Sequence, residues 1–131
     1  MGLLERRAAK AFQDDVYPAL QQRIEAAAGH PVAVEIDWES LQTPDSAPLF
    51  AEAWSKVFFE PLIAALEGVA IDDLGRQALA DGLKSIRILD SGTMRVALDA
   101  GELIVDYPAT ANLADGEERR QEIQKTLERG L

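Results

Sequence analysis

Glu35, Asp37 and Glu39 occupy every second position of residues 35–39, alternating with the apolar Val34, Ile36 and Trp38. Paired carboxylates can run glycoside hydrolysis, one protonating the leaving group while the other acts as base or nucleophile. That chemistry needs the pair facing across a cleft, with one carboxyl kept protonated by burial. A strand instead puts the three on one face, about 7 Å apart. Such a solvated row suits a basic partner, whose field it complements and whose encounter it speeds. The plainer alternative is ordinary surface charge on the outer side of a strand.

Other candidates for chemistry are sparser. Asp72 and Asp73 could offer oxygens to a hard cation, but Ile71-Asp72-Asp73-Leu74-Gly75 lacks the alternating acids and closing Glu of a calcium loop. Asp72 reads better as a helix N-cap, and Asp14, Asp15 and Asp90 have no stronger claim. His30 lies between Gly29 and Pro31 in a turn. As a general base it would need an orienting carboxylate and a nucleophile within reach. Glu25 is the nearest acid at helical spacing, and no serine sits in a G-x-S-x-G elbow. The chain has no cysteine and one histidine, which excludes disulfides, thiol nucleophiles and clustered-histidine metal sites. Gly68 and Gly75 are isolated, so no phosphate loop is formed. No catalytic residue, metal ligand or cofactor is read from the sequence, and the expectation is a protein that is not an enzyme.

Charge carries more information. The chain holds 13 basic and 23 acidic side chains, net −10, which argues against nucleic acid as a partner. Residues 30–71 contain Lys56 alone against Glu35, Asp37, Glu39, Asp45, Glu52, Glu60 and Glu67, so most of the excess is concentrated there. Trp38, Phe50, Trp54, Phe58 and Phe59 lie in the same stretch. Trp54 and Phe58, one helical turn apart, suit a core. Trp38 ends the apolar alternation and suits either the core or the rim of a docking site. The expected docking set is therefore Glu35, Asp37, Glu39, Trp38, Asp45, Glu52 and Glu60, and the expected partner is a basic protein. Neutralising a basic nuclease toxin, in the manner of an immunity protein, fits the size, acidity and lack of cysteine. The alternative is a small-ligand-binding protein, or an undetected enzyme, with a pocket between the sheet and the long second helix on its Trp54 and Phe58 side.

The elements that must position these residues follow from periodicity. Leu4, Ala8, Phe12, Val16, Leu20, Ile24 and Ala28 recur every four residues and predict a first helix. Pro18 should kink or break it and Gly29 should end it. Residues 31–39 predict a strand, and 41–48 a loop leading into a second helix over about 46–69. That helix has a main stripe of Phe50, Trp54, Val57, Phe58, Pro61 and Ala65. Its second stripe, Phe59, Ile63 and Leu66, is either sandwiched in the core or free to pair with another copy as a homodimer. Asp72 opens a short helix holding Leu74, Ala78, Leu79 and Leu83. Residues 85–89, 93–98 and 102–107 predict strands, with Ser91-Gly92 as one turn and Asp99-Ala100-Gly101 as a three-residue hairpin loop. Asp115 and Glu118 suggest a capped last helix, its narrow apolar stripe being Ile123, Leu127 and Leu131 and its remaining surface carrying Arg119, Arg120, Lys125 and Arg129.

The order α-β-α-α-β-β-β-α predicts one α+β domain over 1–131, with a four-stranded, mainly antiparallel sheet and helices packed on one face. A length of 131 residues and 47% hydrophobic content suit one globular domain rather than a disordered chain. MGLLERRAAK has no signal-peptide apolar region, and Arg6 stands where myristoylation prefers Ser or Thr. No apolar run approaches the ~20 residues of a membrane span. The expectation is a cytoplasmic protein without membrane partners.

Overall fold

The apolar ladder that ends at Ala28 is a helix over 3–28 in the computed structural model, which describes residues 2–131. Leu3–Ala11 and Tyr17–Ala28 are α-helical, and between them Phe12–Val16 forms a π-helical turn. The turn answers Pro18, the second residue of the following segment. Proline lacks an N–H, and its ring collides with the carbonyl four residues back. Widening the preceding turn, so that Tyr17 N donates to Phe12 O, lets the helix continue. Gly29 then ends it in the left-handed region at φ 79°.

The central helix repeats this solution. A 3-10 turn, Ala47–Leu49, leads into Phe50–Trp54; a π-helical turn, Ser55–Phe59, precedes Glu60–Val69, where Pro61 is again the second residue. The helix passes between the N-terminal helix and the C-terminal helix, Gly116–Gly130. Both of its apolar stripes are consequently buried. Phe59, Ile63 and Leu66 are 0%, 2% and 0% exposed, so the second stripe is core and presents no surface to another copy.

One helix end differs from the sequence expectation and another follows it. Asp115 makes no capping bond; Asn112 instead accepts from Ala114 N at 2.9 Å and opens a 3-10 turn, Leu113–Asp115, before the C-terminal helix. Asp72 does cap its helix, Asp73–Gly82, accepting from Gly75 N at 2.8 Å. Leu79 and Leu83 are buried there, while Leu74 is 81% exposed and does not join the core.

Four strands form one sheet: β1 Ala33–Ile36, β2 Ser85–Leu89, β3 Arg95–Asp99 and β4 Glu102–Asp106. The expected strand over 31–39 stops at Ile36 because Asp37 begins a short helix, Trp38–Leu41. With it, the described residues form five helices around the sheet. Strand order is β1-β2-β4-β3, and the β1–β2 and β2–β4 pairs are parallel. The sheet is therefore mixed and mostly parallel, a correction to the antiparallel expectation. The helical stretch between Trp38 and Gly82 acts as the long crossover that a parallel β1–β2 pair requires. Residues 90–94 do not close a hairpin between β2 and β3. They cross the end of β4, which lies between those strands; only β3 and β4 form a hairpin. Ile86, Ile88, Leu103 and Val105 point into the core, while Glu35 and Arg87 point to the open face, so the helices do pack on one side.

Candidate functional site

The acidic stretch begins on β1 and turns a corner. Glu35 is exposed on the open face of the sheet, in register with Arg87. Arg87 pairs with Glu102 at 3.3 Å, and Glu35 makes no ion pair among the described residues. Asp37 caps the short helix: its Oδ1 accepts from Ser40 N at 3.2 Å, and Ser40 Oγ donates to Asp37 O at 2.7 Å. Glu39 is exposed in the first turn of that helix. The regular row at strand spacing is thus replaced by three exposed carboxylates disposed around the end of β1. Asp is a favoured N-cap residue, and here its bond from Ser40 N outweighs the apolar alternation that carries on through Trp38.

Trp38 sits half-buried at the centre of this corner. Its ring lies 5.2 Å from Tyr17, 5.7 Å from Phe12 and 5.8 Å from Trp54. The two π-helical turns supply Phe12 and Phe59, which stack at 5.8 Å beneath it. Packing this dense fixes the indole, leaving one side of it at the surface. Burial, followed by the charge of Glu25, pushes the Tyr17 hydroxyl up to about 12 from its ordinary 10.0.

The remaining residues of the expected set lie apart. Asp45 is exposed at φ 61°, and its N–H donates to Glu5 Oε1 at 3.3 Å. Glu52 is paired with Lys56 at 2.9 Å, and its hydrogen bond holds the Lys56 ammonium above the usual lysine range. Glu60 lines a mixed-charge hollow with Lys56, Glu117 and Arg120. Glu52 therefore belongs to a balanced surface pair and Glu60 to a mixed-charge hollow, rather than to the β1 corner.

Carboxylates also stand at the carboxyl ends of the three parallel strands, where α/β sheets commonly gather ligands. Asp37, Asp90 and Asp106 hold these places, and each is engaged by the main chain. Asp90 accepts from Gly92 N at 3.0 Å and Ala109 N at 2.9 Å, and Asp106 accepts from Ser91 N at 2.9 Å. Among the described residues, no three His, Asp or Glu side chains converge in a metal-binding arrangement. His30 ties the end of the N-terminal helix to the start of β2, its ring nitrogens lying 3.1 Å from Ala28 O and 2.8 Å from Leu83 O.

One apolar cavity of about 220 Å³ opens near these strand ends. Phe50 and Trp54, stacked at 4.6 Å, form one wall, and Thr43, Ser46, Leu49 and Thr110 complete its mouth. It lies between the start of the central helix and two loops, not between that helix and the sheet. Phe58 is elsewhere in the core, against Tyr107. Thr43, Ser46 and Thr110 read only as loop residues in the sequence, and no local pattern marks them as a lining. No described helix is long and apolar enough to cross a membrane. Comparison with protein-family models, with curated proteins and with solved structures gives no match.

Proposed function

We propose that this chain is a non-enzymatic protein-binding module whose β1 corner docks a basic partner. The observation that carries this reading is the cluster of Glu35, Asp37 and Glu39, all exposed around half-buried Trp38, while Arg87, in register with Glu35, is engaged by Glu102. Unbalanced like charges cost stability, whereas opposite charge on a partner relieves their repulsion and accelerates encounter. A fixed, partly exposed indole supplies the apolar anchor that such interfaces use.

The test is a capture experiment with the wild-type chain and the triple variant Glu35→Gln, Asp37→Asn, Glu39→Gln, washed at low and moderate salt. Asn caps helices about as well as Asp, so the variant keeps its short helix. A basic protein held by wild type at low salt, released by added salt and missed by the variant is the expected result. The same species retained equally by both chains would refute the reading.

The Phe50–Trp54 cavity supports a second reading, a carrier of a compact apolar ligand. Aromatic fragments should then shift the Trp54 indole resonance, and Ala53→Leu, which fills the lining, should abolish the effect. No shift with any fragment would close this alternative.

A further inference from the structure

We propose that the partner contributes an extended basic segment that pairs with β1 as a fifth strand, an inference that rests on the docking reading above. β1 is an edge strand, bonded to β2 on one side. Asp37 N donates to Ile88 O at 3.0 Å, and alternation then turns the main chain of Glu35 toward β2 as well. The N–H and C=O groups of Val34 and Ile36 therefore face outward, in the arrangement that strand addition completes.

Side-chain burial agrees. On the core face Ile86, Ile88, Leu103 and Val105 are 0% exposed, but Val34 and Ile36, in register with Ile86 and Ile88, are only half-buried. The core is thus incompletely covered along β1, and half-buried Trp38 extends the same ledge. An added strand would lay alternate apolar side chains over Val34 and Ile36. Its other side chains would emerge on the open face beside Glu35 and run toward Asp37 and Glu39. That geometry asks for lysine or arginine at every second position. It also disfavours a second copy of this chain, which would bring its own Glu35, Asp37 and Glu39 against the same carboxylates. The opposite edge, β3, differs: the C-terminal helix lies beside it, Gly130 packing on Leu98, and it begins with Arg95.

The probe is a blocked peptide of about eight residues, the usual strand length range, with lysine alternating with valine and threonine. Two controls replace lysine by glutamate or methylate the backbone nitrogens on the pairing edge. Amide exchange at Val34 and Ile36 should slow by about tenfold or more with the lysine peptide and stay unchanged with either control. Shifts at Glu35, Asp37 and Glu39 without protection at Val34 and Ile36 would overturn strand pairing while leaving the acidic docking site standing. Equal binding by the methylated peptide, or no binding of the lysine peptide, would also overturn strand pairing. Docking itself stands or falls separately, by the triple-amide capture experiment.

Discussion

Arg119, on the C-terminal helix, donates through Nη2 to the main-chain carbonyl of Lys56 at 3.3 Å, inside the π-helical turn of the central helix. The sequence explains why that carbonyl is free. Glu60 N donates to Ser55 O, five residues back, so the next donor in register belongs to Pro61, which has none. The proline widens the turn and leaves Lys56 O without a helical partner. Arg119, only 7% exposed, fills the vacancy with its guanidinium, which also donates to Asn112 O at 2.8 Å.

Arg119→Met should therefore cost about 2–3 kcal/mol, since it removes charge-assisted bonds and strands buried acceptors. The cost should shrink by about 1 kcal/mol in a Pro61→Ala background, where residue 61 regains an N–H in register with Lys56 O. Urea denaturation of the four proteins in this cycle measures the coupling. Equal losses in both backgrounds would show that Arg119 does not compensate for the proline.

How much of this was legible depended on whether a feature is local. Asp72 and Gly29 act on neighbouring residues, and both were readable as helix signals. The π-helical turns were half-legible: Pro18 announced a disturbance, but whether the helix breaks or widens depends on packing, here the stacking of Phe12 on Phe59. Strand order was not legible, because β4 inserts between β2 and β3 through contacts distant in sequence. The β1 corner was read in composition but not in shape, since the alternation through Trp38 masked the cap formed by Asp37 and Ser40.

Asp106 is where that strand order is secured. The residue is 5% exposed at the end of β4, and its carboxylate accepts from Ser91 N at 2.9 Å, from Thr93 Oγ1 at 3.3 Å and from Ser91 Oγ, all on the loop that crosses β4. Asp106→Asn replaces an acceptor with a donor facing other donors and should cost about 2 kcal/mol. Ser91→Ala, which keeps the main-chain bond, should cost about 1 kcal/mol. Chemical denaturation ranks the two; a silent Asp106→Asn would mean that the crossing loop is held by other contacts.

Tyr17 gives a pH signature. Its hydroxyl is buried without a hydrogen-bond partner, and burial pushes its ionisation from 10.0 to about 12. Between those values the unfolded chain has lost this proton while the folded chain keeps it. The unfolded state then binds fewer protons, so stability falls as pH rises through the window. Tyr17→Phe should remove that share of the alkaline loss. At neutral pH it should leave the protein as stable or about 1 kcal/mol more so, because an unsatisfied buried hydroxyl disappears. Tyr107 is also pushed up, first by burial and then by its bond to Glu122, so part of the alkaline loss should persist in the variant. Thermal midpoints at pH 8 and pH 11 decide the matter: an identical drop in both proteins would exclude Tyr17 as a contributor.

The β3–β4 hairpin carries a removable strain. Asp99 pairs with Glu102, leaving Ala100 and Gly101 as a two-residue loop at φ 51° and 84°, in place of the three-residue loop expected from Asp99-Ala100-Gly101. Positive φ at both positions is the type I′ pattern, favoured by Asn-Gly because its twist matches that of the strands. Alanine in this region carries a steric cost of about 1 kcal/mol that Asn largely avoids. Ala100→Asn should accordingly stabilise the protein by about 0.5–1 kcal/mol. Ala100→Gly should gain less, because glycine adds freedom to the unfolded chain. Ala100→Val should lose stability, its branched Cβ being the least tolerant of positive φ. A calorimetric series with Val below Ala, then Gly, then Asn is the expected ranking. Val and Asn of equal stability would show that the hairpin loop does not hold its left-handed geometry in solution.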